Sequence, residues 1–447
     1  MSGAAGSVRG LPFGRRRKRK PKAGARTKAP PRAIEHSLLL TATMCLLAFG
    51  VVMVFSASSS ASLLGATGDG AYYLKRTLMF GAIGLVVMHL LARHGLVTIR
   101  RMTPIFLVGA VVLLLATKVI GAEVNGAQRW IVLGPVQIQA SEVAKVSLML
   151  YGAHLLAERP QMTRDLSGLA PFLLVAGAVC MLIVVEPDLG TGMVTAFSVT
   201  ALLIAAGTRL RHLALLAGGL VGIVLIALVM EPYRLARLTS FLNPTADASG
   251  AGFQGMQASI ALGSGGVFGV GIGESVQKAF YLPEAHTDMI AAVIGEELGL
   301  LGITVLCGLY MIFGYAGFRT AQRARDRYGR LLAAALTAMI MVQATINLFA
   351  VLGLAPLTGV TLPFVSYGNS SLIVTLAAVG LLLNIAAGGT ASASARPRTG
   401  SSGLRALEGG RSKARRRTGG ARAASSDRSR RHGGARSASA GRRRRAR

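Results

Sequence analysis

The segment Leu282-Pro283-Glu284-Ala285-His286-Thr287-Asp288 sets a Glu, a His and an Asp directly before an apolar run from Met289 to Phe313. Ionisable groups at the edge of hydrocarbon are costly to keep there, so they mark functional sites. Asp288 is the first candidate for a proton-abstracting carboxylate, because a partly dry site raises a carboxyl pKa and suits it to general-base chemistry. The competing reading is structural. Thr287 or Asp288 can cap the free N–H groups of the helix that follows, and a helix N-terminus stabilises the anion instead. Glu296 and Glu297 lie further in, Glu296 roughly 12 Å along that helix from Asp288 at about 1.5 Å per residue.

Other polar groups carry similar pairs of readings. Glu142 and Lys145, three apart, share a helix face and can form an ion pair that satisfies itself. Lys is also a point-charge phosphate binder, and with Arg76 and Arg129 it can form a cationic pocket suited to a diphosphate. Asp188, in Glu186-Pro187-Asp188, reads first as the cap of the next helix. Trp130, the only Trp, fits an aromatic belt at the membrane edge. Gln254 and Gln257 are at helical spacing and read equally as sugar contacts or solvated amides. The glycine run from Gly263 to Gly273 matches neither G-x-G-x-x-G nor the P-loop. It reads most simply as a flexible re-entrant turn, although its N–H groups can also approach an anion. The seven His residues show no HExxH or paired spacing, so no protein-built zinc site is expected.

The elements that must position these groups are membrane helices. Of 447 residues 52% are hydrophobic and 15% charged, a composition that fits a polytopic membrane protein. Runs long enough to span number about ten: Leu38 to Phe55, Thr77 to Ala92, Thr103 to Ile120, Val143 to Ala157, Leu169 to Val185, Gly190 to Gly207, Leu213 to Met230, Met289 to Phe313, Leu331 to Leu352 and Leu372 to Ala387. The expected fold is all-α with both termini cytoplasmic. The net charge of +31 does not make a nucleic-acid binder, because most of the Lys and Arg sit in two tails, residues 1–35 and 389–447. These tails are too poor in large apolar residues to order, and their basic runs can meet anionic lipid headgroups. The loops with Arg93, Arg100, Arg101, Arg159, Arg164, Arg209 and Arg211 and the cluster from Arg319 to Arg330 fall on the tail side, as the positive-inside rule requires. The other side carries Lys75, Arg76, Arg129, Arg234, Arg237 and Lys278. It also carries the longest loop, residues 231–287, and the segments 122–140 and 353–371. Cys45, Cys180 and Cys307 lie inside apolar runs and read as packing residues. The first run is about twice a signal-peptide core and reads as a retained helix.

Motifs in order then carry a resemblance: Asn125-Gly126-Ala127-Gln128-Arg129-Trp130, Glu186-Pro187-Asp188-Leu189-Gly190-Thr191, Glu231-Pro232-Tyr233-Arg234, Phe241-Leu242-Asn243-Pro244, Gly263-Ser264-Gly265-Gly266, Gln277-Lys278, Tyr281 to Asp288, Gly295-Glu296-Glu297-Leu298-Gly299 and Pro363-Phe364-Val365-Ser366-Tyr367-Gly368. From about residue 36 to 388 the sequence resembles the SEDS family (shape, elongation, division and sporulation), and its division branch more than its elongation branch. The resemblance implies a ten-helix glycosyltransferase domain over residues 36–388. It would polymerise lipid II on the outer face of the cytoplasmic membrane, at the division septum, beside a class B penicillin-binding protein and other division proteins. It implies Asp288 as the catalytic residue, with Glu142 and Lys145 lining a central cavity beside it. Substrate contacts are expected from these two and from Arg76, Arg129, Trp130, Asp188, Gln257, Lys278, Glu284, His286, Thr287, Ser366 and Ser370. The implied reaction is inverting attack of a sugar 4-hydroxyl on a lipid-linked donor. Lys145, Arg76 or Arg129 would neutralise the departing diphosphate, helped by a divalent cation, Mg2+ or Mn2+, for which no protein motif is evident. Met289 replaces a usual Phe, and Asn369 a usual Gly before Ser370-Ser371. The rival readings are a lipid II flippase and a non-catalytic scaffold of the division machinery.

Overall fold

The computed structural model describes residues 3, 34–64, 68–124, 127–134, 136–230, 232–243, 250, 252–278 and 281–390. The two basic tails lie almost wholly outside the described residues. Ten long helices fall on the ten expected runs: α1 (Ile34–Leu64), α2 (Tyr72–Arg93), α3 (Leu96–Ile120), α4 (Ala140–Glu158), α5 (Leu166–Val185), α6 (Leu189–Ala206), α7 (Leu210–Met230), α10 (Ile290–Arg323), α11 (Arg327–Val351) and α12 (Asn369–Ala386). Eight of them are long and apolar enough to cross a membrane. The other two are α4, which carries Glu142, Lys145 and Glu158, and α7, apolar over Leu210–Leu225. The chain is a polytopic helical membrane protein. Leu174, Ile105, Val108, Val112 and Val119 point outward and are exposed, as suits a surface whose solvent is lipid.

Two features go beyond the sequence reading. The long loop contains two helices, α8 (Pro232–Leu242) and α9 (Phe253–Gly265). The segment after α3 forms a three-stranded antiparallel sheet, β1 (Ala122–Val124), β2 (Ala127–Leu133) and β3 (Val136–Gln139), that pairs Trp130 with Gln139. Val and Ile recur through these strands, where branched side chains suit a pleated surface. An all-α reading keyed to long apolar runs passes over so short a sheet.

Helices α11 and α12 form the buried centre, α11 against α4, α6 and α10, and α12 against α2. The two ends of the bundle differ in chemistry. One end collects the ion pairs Arg323–Glu35, Arg209–Asp165 and Arg100–Glu158, and there Arg327 donates to the carbonyls of Leu156 and Ala206. The sheet, the His286–Asp288 segment and residues 356–368 meet around a cavity away from these arginines.

Helix α10 is broken at Gly299, whose φ of 63° and ψ of −161° interrupt its hydrogen-bond ladder. A break inside a spanning helix survives only where other groups satisfy the freed backbone. Here the glycine run does so: Val270 and Gly271 donate to the carbonyls of Glu296 and Glu297, and Leu300 and Leu301 donate to those of Gly266 and Val267. The glycine run is therefore a backbone splint. Its closest approaches are at Gly265, where a Cβ would stand 1.9 Å from the carbonyl oxygen of Gly295, and at Gly269 (φ +83°), where it would stand 2.1 Å from that of Glu297. Gly269→Ala is expected to lose more than about 1 kcal/mol, read as a lower unfolding temperature in detergent.

Candidate active site

Asp288 ends the segment that leads into α10 and faces a cavity of about 900 Å³. The cavity walls come from distant parts of the chain: Tyr72, Tyr73 and Arg76 from α2, Arg129 and Trp130 from β2, Arg237 from α8, and Glu284, His286 to Asp288, Pro356 to Gly359 and Thr361 from the loops. The main chain beside Asp288 is pinned from α11, where Asn347 Nδ2 donates to the carbonyls of Asp288 and Val360, each at 2.7 Å. Gly359, at φ +70°, passes so close that a Cβ there would lie 3.9 Å from Oδ2 of Asp288. Asp288 is not a cap: helix α10 has no side-chain hydrogen bond at its start. The reading of Asp288 as a simple N-cap is thereby removed.

Burial, and then the neighbouring charge of Glu284, push the Asp288 carboxyl up to about 7, against the opposing pull of Arg237 and of the Thr287 hydroxyl. A carboxyl at that value is half ionised near neutrality and can accept a proton in a transition state. His286 is shifted down by burial, which favours its neutral form. Its ring packs 4.3 Å from that of Tyr73 and 5.6 Å from that of Tyr367. Arg76 lies over the Tyr72 ring at 5.1 Å. Arg129 is aimed by its hydrogen bonds to the main-chain oxygens of Glu186, at 3.2 Å, and Pro187. Arg237 donates to the carbonyl of Leu357 at 3.1 Å.

Of the residues expected at the site, Arg76, Arg129, Trp130, Glu284, His286, Thr287 and Asp288 line the cavity. Trp130 is thus a cavity wall rather than a belt residue. Glu142 and Lys145 do not line it, contrary to expectation: they are 4% and 1% exposed and lie beneath its floor. Lys145 Nζ bonds Glu142 at 3.0 Å and Gln343 Oε1 at 2.6 Å. Gln343 Nε2 in turn donates to the carbonyl of Thr361, a lining residue, and Ser371, another, donates to Glu142. This network braces the floor and commits the Lys145 ammonium to Glu142 and Gln343. Burying a charge requires such partners, which sequence spacing alone does not reveal.

Four other expected contacts also stand behind the wall. Asp188 caps α6, accepting from the N–H of Thr191 at 3.1 Å, and is also held by Gln139 and Ser141. Ser366 accepts the N–H of Leu362, and Ser370 that of Gln139. Lys278 is buried against Glu297 at 2.8 Å. Gln257 is outside the cavity, where Gln254 and Ser371 are present instead. Sequence reasoning counted Arg237 among the outer cations without a role. Its spacing of three from Arg234 on what is now α8 was the available signal.

Glu186 supports the wall through its main-chain carbonyl, and both of its carboxyl oxygens are buried, with Thr117, Lys118 and Arg129 the groups that favour its anion. Burial, and then Asp188, push it from 4.5 up to about 8. The folded chain then keeps a proton that the unfolded chain releases, so this contribution to stability is full below pH 4.5 and is lost as pH rises to about 8. Glu186→Gln is expected to remove that slope. Unfolding temperatures of the two proteins should therefore diverge across this pH interval, with the variant the more stable at the upper end.

The cavity's own carboxylates are Glu284 and Asp288, and Glu284 Oε2 already accepts from Thr287 at 2.8 Å. Among the described residues no group of three or more His, Cys, Asp or Glu can hold a metal ion. Among the described residues the donors present do not fit a divalent cation held by the protein alone.

A family model described as "Cell cycle protein", covering FtsW, RodA and SpoVE, matches residues 36–390. The chain is 41% identical over 369 residues to a probable peptidoglycan glycosyltransferase FtsW of Trichlorobacter lovleyi, covering 81% of this chain and 96% of that one. It is 39% identical over 355 residues to the stage V sporulation protein E of Bacillus subtilis, covering 78% and 96%. Among solved structures, a chain from work on the structural coordination of polymerization and crosslinking by a peptidoglycan synthase complex superposes with a TM-score of 0.64 at 30% identity, covering 78% of this chain and 96% of that one. The rod shape determining protein RodA of Thermus thermophilus superposes at 0.59 with 30% identity, covering 78% and 95%.

Proposed function

The chain belongs to the FtsW, RodA and SpoVE family of cell cycle proteins, and from that premise we propose a peptidoglycan glycosyltransferase that polymerises lipid II during septal wall synthesis, with Asp288 as its general base. One observation carries the reading: a carboxyl raised to about 7 faces a cavity that also presents Arg76, Arg129 and Arg237. The 4-hydroxyl oxygen of the acceptor sugar bonds to the anomeric carbon of the lipid-linked donor as the bond from that carbon to the diphosphate oxygen breaks. The anomeric centre inverts. Asp288 takes the hydroxyl proton, a contribution of about 10² to 10⁴ in rate. The electron pair leaves with the diphosphate, whose charge the three arginines stabilise in a site of low dielectric. Arg237 takes the place given to Lys145 in the sequence reading.

A class B penicillin-binding protein is the proposed partner. Its support is the likeness to a chain from a peptidoglycan synthase complex. The flippase reading loses its main support, because Glu142 and Lys145 are tied into a buried network rather than spread along a passage.

Purified protein with its partner and labelled lipid II in detergent is the test. Glycan ladders are expected; absence of polymer with the partner bound would return the scaffold and flippase readings to the front. Removing the Arg237 charge that holds Asp288 down should move the acid limb of the rate profile to higher pH in Arg237→Gln. An unmoved limb would show that Arg237 does not act on Asp288.

A further inference from the structure

Among the described residues, the hydrogen bonds that the Asp288 carboxylate receives come from its own stretch of chain, its own main-chain N–H and the Thr287 hydroxyl. The hydrogen bond it receives from Thr287 Oγ1 is long, at 3.4 Å, so its place depends on the backbone that carries it. That backbone enters from Ser275–Lys278 and leaves along α10, and the two limbs are tied together beyond the cavity. Lys278 Nζ lies 2.8 Å from Glu297 Oε1. Ser56 of α1 donates to the same carboxylate at 2.7 Å and accepts from Lys278 at 3.3 Å. One residue earlier, Glu296 accepts from the Ser275 hydroxyl and from the N–H of Val276 at 3.0 Å. Ser56, Ser275, Lys278, Glu296 and Glu297 are all buried, and none of them lines the cavity.

We propose that the Lys278–Glu297 pair, with Ser56 and the Glu296–Ser275 tie, is a positioning device that closes the loop carrying Asp288 and fixes its carboxylate toward the substrate. The chemistry favours this over simple stabilisation. A buried ion pair adds little net stability relative to apolar residues of similar volume, yet it specifies one arrangement where apolar contacts tolerate several. Misplacing a catalytic group by about 1 Å costs on the order of 10²-fold in rate. The tie sits on the Asp288 side of the break at Gly299 and the glycine run bridges that break, so α1, the glycine run and the first half of α10 are held together beneath Asp288. Lys278 and Glu297 are positioning residues; neither lines the cavity that Asp288 faces.

The inference rests on the proposed function, and its test is built to separate the two. The variant is the double substitution Lys278→Met with Glu297→Met, which removes both charges together and leaves neither buried alone. In the full chain with its partner, the expected result has three parts. The unfolding temperature is unchanged or higher. Glycan polymerisation falls at least tenfold in kcat, with KM for lipid II within twofold of the parent. Amide hydrogen exchange at residues 281–289 becomes faster. Parental kcat, whatever the exchange shows, would overturn the positioning role. A lower unfolding temperature with kcat and KM moving together would overturn it too, since the pair would then be structural. If the parent protein makes no glycan, the proposed function fails, and exchange alone decides the positioning claim: faster at 281–289 with an unchanged unfolding temperature upholds it, and any other pattern overturns it.

Discussion

Asp288→Asn is expected to lower glycan polymerisation by about 10² to 10⁴-fold while the protein still folds, reaches the membrane and binds its partner. Asn matches Asp in size and can keep the hydrogen bond from Thr287 and the main-chain bond to Asn347, but it cannot accept a proton. Stability should not fall. The wild-type carboxyl is raised to about 7 because its anion is poorly hydrated, and the neutral amide avoids that cost above pH 7. A polymer assay beside a thermal unfolding curve separates the two effects, and activity within a few-fold of wild type would remove Asp288 from the role of base.

The second large effect is on stability. Lys145→Met leaves Glu142 in the centre of the bundle with its cation gone and, among the described residues, Ser371 alone still donating to it. Breaking a buried pair from one side costs about 3 to 5 kcal/mol, a loss that should appear as poor recovery from detergent and a much lower unfolding temperature. Pairing the change with Glu142→Gln should recover much of it. If Lys145 instead contacted diphosphate directly, Lys145→Met would raise KM and leave the fold intact.

The helices were legible because a bilayer imposes length: each of the ten apolar runs falls on a long helix to within one residue, often continued by polar residues at its ends. The short sheet of residues 122–139 was not, since three to seven residues per strand leave little pattern. Within the site, charge at a membrane edge picked out Asp288, Arg76 and Arg129, and the motifs added His286 and Thr287. Sequence could not tell which polar residues face the cavity and which lie one layer behind it. Lys145, Asp188, Ser366 and Lys278 all carry the right chemistry, but each is spent on another protein group. Arg237 reaches the cavity through a helix inside a loop, so linear spacing from Asp288 carries no sign of it. The glycine run was read as a flexible turn because its partners, the freed groups of a helix broken at Gly299, lie across a fold that spacing does not encode.

The most direct measurement is the pH dependence of polymerisation by the purified complex at saturating lipid II. An acid limb with an apparent pKa near 7, displaced upward in Arg237→Gln and absent from the residual rate of Asp288→Asn, is the predicted result. A rate that stays level from pH 5 to 8, or an acid limb that persists in Asp288→Asn, would contradict the account.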